Sequence, residues 1–269
     1  MYENYIAIIT PFYHGNIDFP SLHVFLETIY KSGTRKIVVG GTTGEGILLT
    51  NSEKKSIFTH IRKHFNFEIV GCYSDISVVN FDEDVYNLCD KVMISPQYFI
   101  KPNIDSKFDY ISNIADKYDK EIIIYNNPSR FCTNIDEELY DKLYEIDNIV
   151  GIKEAGNIVD IKKYDKWKWF GGNDDAMDIF QKNGFSGMIS AVGNLCPKLL
   201  DSAWSDLSYF NAWKNISLAV FESPSPLLIK YYLYKAGIIS SYETRFHITD
   251  SKLNMKYNEL KDVVDNAAE

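Results

Sequence analysis

Ile149-Val150-Gly151-Ile152-Lys153-Glu154-Ala155 is a short apolar run that ends in an amine and then turns at Gly156-Asn157. It reads as a buried strand. A lysine at the end of such a strand points its ammonium group into a mostly apolar site. Burial there disfavours the charged form. A neutral amine is the nucleophile that forms a Schiff base with a carbonyl substrate. Taken alone, the residue reads equally as a lysine snorkelling from a strand end, so its surroundings decide.

Working outward, seven further β-rich runs have the same character. They lie at residues 5–9, 36–39, 68–71, 91–94, 121–125, 167–170 and 187–190. With 149–153 they make eight strands, mostly spaced by roughly 20–30 residues, with helical periodicity between most of them. Alternation of this kind implies parallel strands with right-handed crossovers. Eight such units close into a (β/α)8 TIM barrel.

Ser21 is placed to cap a helix carrying Leu22, Phe25, Leu26 and Ile29 on one face, with Gly33 ending it. Thr50 and Glu53 form a capping box before Ile57 and Ile61. Asp105 precedes Phe108, Ile111 and Ala115 at helical spacing. The third and sixth connecting helices carry weaker signals. Residues 197–269 hold further helical pattern, broken at Ser223-Pro224-Ser225-Pro226 and at Gly237. The expected organisation is a barrel over 1–196 and a C-terminal helical extension over 197–269, packed on it.

The 269 residues are 45% hydrophobic with a net charge of -9, which suits one sizeable domain and disfavours nucleic acid or an anionic membrane as partner. No apolar run is long enough to span a bilayer, and Met1-Tyr2-Glu3-Asn4-Tyr5 lacks the basic start of a secretory signal. Cys72, Cys89, Cys132 and Cys196 form no Cys-x-x-Cys pair, so free thiols in a cytoplasmic protein are expected.

Barrel chemistry collects at the C-terminal ends of the strands, which selects among the motifs. Gly40-Gly41-Thr42-Thr43-Gly44-Glu45-Gly46 follows the second strand. Its successive N–H groups and two hydroxyls can hold a small carboxylate, although a Gly-rich βα turn alone needs no such role. Tyr125-Asn126-Asn127-Pro128-Ser129-Arg130 follows the fifth strand. It offers a phenol for proton transfer and a guanidinium fork for a carboxylate. Tyr98 follows the fourth strand, and Ile189 ends the eighth. Each reads alone as packing. His60 and His64 are i,i+4 on a helix, the spacing of a metal pair. No Glu follows His60 and no third ligand is evident, so a solvated face is the reading. Asp174-Asp175 fits helix caps as well as a metal.

Gly41-Thr42-Thr43-Gly44-Glu45, Tyr125-Asn126-x-Pro128-x-Arg130, Gly151-Ile152-Lys153-Glu154-Ala155 and Gly187-Met188-Ile189-Ser190, in this order, resemble the dihydrodipicolinate synthase / N-acetylneuraminate lyase family of class I pyruvate aldolases. The resemblance runs from about residue 4 to 240. It implies a Schiff base between Lys153 and pyruvate, the pyruvate carboxylate on Thr42 and Thr43, and proton transfer by Tyr125 and Thr43. It implies that Tyr98 completes the relay in a neighbouring subunit, that Ile189 lines the pyruvate pocket, and that the enzyme is a homotetramer needing neither metal nor organic cofactor.

Arg130 matches the arginine that binds L-aspartate 4-semialdehyde in the synthases. The resemblance therefore implies condensation of pyruvate with that aldehyde to 4-hydroxy-tetrahydrodipicolinate, in diaminopimelate and lysine biosynthesis. The alternatives are another pyruvate aldolase, such as an N-acetylneuraminate or 2-keto-3-deoxy sugar acid lyase, and a non-catalytic barrel. Phe131 and Gly172-Asn173 depart from the family's usual residues. So do Lys54, Val79 and Gln97, near the positions of its lysine-feedback site, which implies insensitivity to lysine.

Overall fold

The structure, a computed structural model, describes residues 2–267. Eight parallel strands close into a barrel. In order around it they are β1 (Tyr5–Ala7), β4 (Lys36–Val39), β5 (Glu68–Tyr73), β6 (Lys91–Ile94), β7 (Glu121–Asn126), β8 (Ile149–Glu154), β9 (Lys168–Gly171) and β10 (Gly187–Ser190), which returns to β1. These are the eight runs expected from sequence, with ends moved by a few residues. A small antiparallel hairpin, β2 (Phe12–Tyr13) and β3 (Asn16–Ile17), sits between β1 and β4 and was not foreseen.

Strand side chains alternate between two apolar compartments. Tyr5, Ala7, Val38, Val70, Cys72, Met93, Ile123, Tyr125, Phe170 and Ile189 fill the barrel interior. Ile6, Ile37, Ile69, Val92, Ile122, Ile124, Ile152 and Trp169 pack outward under the helices. This is the period of two expected of a strand, with both faces buried as in parallel sheets.

The N-terminal end of the barrel is closed by charge. Lys36 reaches Glu3 at 2.6 Å and Glu68 at 3.2 Å, and Lys91 reaches Glu68 at 2.6 Å and Glu121 at 3.0 Å. Lys168 also pairs with Glu3. Above these pairs, Tyr5 donates to Glu68 at 2.7 Å and meets Phe170 edge-on at 5.4 Å. The opposite end is left for the site.

Helix α1 (Phe19–Lys31) is capped by Asp18, which accepts from Ser21 N; Ser21 is a buried residue of the first turn rather than the cap. The capping box of Thr50 and Glu53 forms at α2 (Asn51–His64). Asn103 caps α4 (Ile104–Lys117), and Asp105 lies in its first turn. The two weak helical signals correspond to short elements. Helix α3 (Glu83–Tyr86) is one turn, and a 3-10 turn at Ile161–Tyr164 stands between β8 and β9. Aromatic rings fill the space a longer helix would take: Phe81 stacks on Tyr86 at 5.0 Å, and Tyr164 on Trp167 at 5.4 Å.

Two short helices, α5 (Pro128–Phe131) and α6 (Glu137–Tyr144), follow β7, and α7 (Met177–Lys182) follows β9. After β10 come α8 (Pro197–Ser205), α9 (Phe210–Val220), α10 (Leu227–Lys235) and α11 (Leu253–Ala267). The Ser-Pro-Ser-Pro break separates α9 from α10, and Gly237 (φ 71°) follows α10. All four cysteines are free. Among the described residues, no helix is long and apolar enough to cross a membrane.

Candidate active site

Lys153 points into the barrel from the end of β8 and is 7% exposed. The register places it between Tyr125 on β7 and Phe170 on β9. Its Nζ lies 4.3 Å from the centre of the Tyr125 ring. Gly172 leaves room for it, since a Cβ there would stand 3.2 Å from Lys153 Cε and 2.8 Å from Ala155 Cβ. The next residue, Glu154, points outward and is fully buried. Its carboxylate accepts from Tyr140 Oη at 2.7 Å, from Asn126 Nδ2 at 3.0 Å and from Gly156 N at 2.5 Å. Burial raises its pKa, and the Asn126 and Tyr140 bonds oppose that shift. These contacts hold the ends of β7 and β8 together behind the lysine. A carboxylate on the outward phase of a buried strand was the sequence signal for this brace.

Tyr125 is 4% exposed, and its Oη accepts from Asn127 Nδ2 at 2.9 Å. Asn127 Oδ1 in turn accepts from Ser129 Oγ at 2.8 Å and Arg130 N at 3.2 Å, capping α5. One amide side chain therefore sets both the phenol and the loop that carries Arg130. Phe131 meets the Tyr125 ring edge-on at 5.2 Å. Arg130 is exposed at the rim.

The loop after β4 folds tightly on itself. A Cβ at Gly46 would fall 1.7 Å from the Gly40 carbonyl oxygen, so only glycine allows the turn. Gly46 N donates to Gly41 O, and Glu45 N to Thr42 O, both at 3.1 Å. Glu45 takes a left-handed conformation (φ 54°) with its side chain fully buried. One carboxylate oxygen lies 2.5 Å from Lys230 Nζ on α10, and the other accepts from Arg245 N and Phe246 N at 2.7 and 3.2 Å. Lys230 also donates to Glu243 O at 2.8 Å. Burial lowers its pKa to about 8, although Glu45 acts in the opposite direction. The sequence reading assigned Lys230 no part, and its 185-residue separation from Glu45 carries no local pattern.

Thr42, Thr43, Tyr125, Arg130, Lys153 and Ile189 line one cavity of about 520 Å³. Tyr98 lines an adjoining pocket of about 350 Å³, which shares Thr42 and Arg130 with the first. The cavity wall also includes Asp174, together with Asn127 and with Phe221 and Glu222 just past α9, and these last three were assigned no role from sequence. Asp174 is not a helix cap, since Asn173 and Ala176 stand at the starts of the 3-10 turn and of α7. Its Oδ2 accepts from Ala191 N and Val192 N at 3.0 and 3.3 Å, and its Oδ1 is buried without a partner. Burial raises its pKa. His60 and His64 lie on α2, away from the cavity, and His23 of α1 joins them as a third imidazole.

The Dihydrodipicolinate synthetase family model matches residues 3–267. The 4-hydroxy-tetrahydrodipicolinate synthase of Bdellovibrio bacteriovorus is 27% identical, covering 91% of each chain. That of Clostridium perfringens strain 13 is 31% identical over 72% of this chain and 70% of the relative. Among solved structures, dihydrodipicolinate synthase from Aquifex aeolicus superposes with a TM-score of 0.90 at 22% identity, covering 100% of this chain and 98% of that one. The enzyme from Acinetobacter baumannii, solved with pyruvate, gives 0.89 at 23% identity, covering 99% of each. The family-model match over nearly the whole chain therefore places this protein in the dihydrodipicolinate synthetase family.

Proposed function

We propose that this enzyme condenses pyruvate with L-aspartate 4-semialdehyde to give 4-hydroxy-tetrahydrodipicolinate, and that Lys153 carries pyruvate as a Schiff base. The observation that carries the reading is the placement of the Lys153 amine against the Tyr125 ring, in a cavity rimmed by two threonines and an arginine. The amine adds to the pyruvate ketone and water leaves, giving an imine. Loss of a methyl proton makes an enamine, whose carbon attacks the aldehyde. The amino group of the second substrate then displaces Lys153, closing the ring and freeing the enzyme. Tyr125 is the acid/base group beside the imine, and Asn127 positions its hydroxyl. Thr42 and Thr43 take the pyruvate carboxylate. Arg130 takes the carboxylate of the aldehyde, and Ile189 supports the pyruvate methyl group.

The enzyme works in the cytoplasm as a homotetramer, in which Tyr98 serves a neighbouring subunit. An exposed apolar patch beside Tyr98 supports the oligomer. Phe99 and Val79 are each 87% exposed, and Gln97 Nε2 donates to Ile76 O at 3.1 Å, joining their two loops. Solvent-facing apolar side chains on adjoining loops support the reading of a protein interface there. The protein should therefore sediment as an oligomer, and V79E/F99E should dissociate it.

Borohydride reduction with pyruvate, followed by mass spectrometry, tests the chemistry. An adduct on Lys153 is expected and should vanish in K153A. No adduct on Lys153 in the native chain refutes the mechanism. Turnover of aspartate semialdehyde against N-acetylmannosamine tests the choice of aldehyde.

A further inference from the structure

Three imidazoles meet on the outer face of the barrel, where α1 and α2 pack side by side. His23 Nδ1 lies 3.3 Å from His60 Nε2. His64 follows one turn after His60, and ligand nitrogens of all three lie within 4.8 Å of one another. The rings contact mutually, with centroids 5.4 Å (His23–His60), 5.1 Å (His23–His64) and 4.8 Å (His60–His64) apart. Phe19 and Phe65 flank them at 5.3 and 5.1 Å.

We propose that His23, His60 and His64 form a binding site for one divalent transition-metal ion that ties α1 to α2. Two imidazole nitrogens bound to one zinc ion at 2.0–2.1 Å and a tetrahedral angle stand roughly 3.3 Å apart. The His23–His60 separation already matches this value. A small rotation of the exposed His64 ring brings the third nitrogen in, and a fourth position stays open to water. An all-imidazole donor set suits zinc, nickel or copper, whereas magnesium and calcium require oxygen ligands.

The phenyl rings of Phe19 and Phe65 shield two sides of the cluster from water.

The sequence shows only the i,i+4 pair. The third ligand lies 37 residues before His60 and is delivered by the barrel's circular packing of consecutive helices. The trio lies on the helical shell, apart from the residues lining the catalytic cavity.

The test uses full-length protein with any affinity tag removed, dialysed to equilibrium against Zn2+ and analysed for bound metal. Co2+ loading, followed by visible absorption, reads the coordination directly. One equivalent of zinc per chain is expected, together with the intense bands of tetrahedral cobalt. Loss of an outer-shell partner alone weakens a metal site about 10–100-fold. H23Q, H60Q and H64Q, each of which removes a ligand, should therefore weaken binding by at least about 100-fold while leaving circular dichroism and basal turnover unchanged. H64Q changes only an exposed side chain and separates ligation from folding. Native protein that retains no zinc, or three variants that all retain it, would overturn the proposal and leave the trio an aromatic packing cluster.

Discussion

Glu45→Gln tests whether the threonine-bearing loop is held by a buried charge reaching from α10. Glutamine keeps the shape and removes the anion. Lys230, fully buried, would then face a neutral amide, the Glu243 carbonyl at 2.8 Å and the Phe12 ring at 4.3 Å. Removing one partner of a buried pair costs roughly 3–5 kcal/mol. Deprotonation limits that cost. Neutralising an amine of ordinary pKa 10.5 at pH 7 takes about 5 kcal/mol, at 1.36 kcal/mol per unit. Lys230 has already moved most of that way, to about 8. About one unit, or roughly 1.4 kcal/mol, therefore remains, and the expected loss is about 1–2 kcal/mol, or a Tm fall of roughly 2–8 °C for a chain of this size. Thermal melts and urea unfolding at pH 7 measure it. Lys230→Met alone also strands a charge, whereas the double variant removes both. Its stability should recover most of the loss, with a large coupling energy. The reasoning is refuted if E45Q melts within about 1 °C of the native protein, or if the double variant loses the sum of the two singles. Pyruvate affinity should fall in E45Q, because the loop carrying Thr42 and Thr43 loses its anchor.

Arg130→Ala removes a charge-assisted contact worth about 1.5–3 kcal/mol. It should lower kcat/KM for aspartate semialdehyde roughly 10–150-fold while leaving the pyruvate adduct intact; unchanged aldehyde kinetics would rule out the proposed role. Gly172→Ala places a methyl group against Lys153 Cε and Ala155, so borohydride trapping should slow sharply, and trapping at the native rate would contradict the packing argument. Burial pushes the Glu68 carboxyl up, but hydrogen bonds from Lys91 and Tyr5 outweigh it and hold the pKa at about 2. Its stabilising contribution is thus present above the ordinary value of 4.5 and lost as pH falls through about 2. Urea unfolding at pH 7 and pH 3 should show a weaker pH dependence in E68Q, and an unchanged one would remove Glu68 from acid stability. Millimolar lysine should leave turnover unaffected, and strong inhibition would refute that expectation.

The barrel was legible because its signals are local. Short apolar strand runs, the capping box at Thr50 and the Gly-Thr-Thr-Gly turn each need only a few neighbouring residues. Two helices stayed faint because the chain replaces them with short elements under stacked aromatic rings, and helical periodicity does not report ring packing. Ser21 misled because its inward role depends on Asp18, the true cap. The strand-end rule identified Lys153, Tyr125 and Arg130 as candidates, and their motifs identified the family.

Only the tertiary structure decided what holds and surrounds them. Glu154 braces the strand behind the lysine, Asn127 couples the phenol to the arginine loop, and Asp174 secures the turn after β10. Glu45 meets Lys230 from 185 residues away, and His23 meets His60 and His64. Apolar strand runs and helix periodicity are properties of a segment, so one sequence reveals them. A buried hydrogen bond or ion pair joins segments whose order along the chain says nothing of their distance, and closure of the barrel sets that distance.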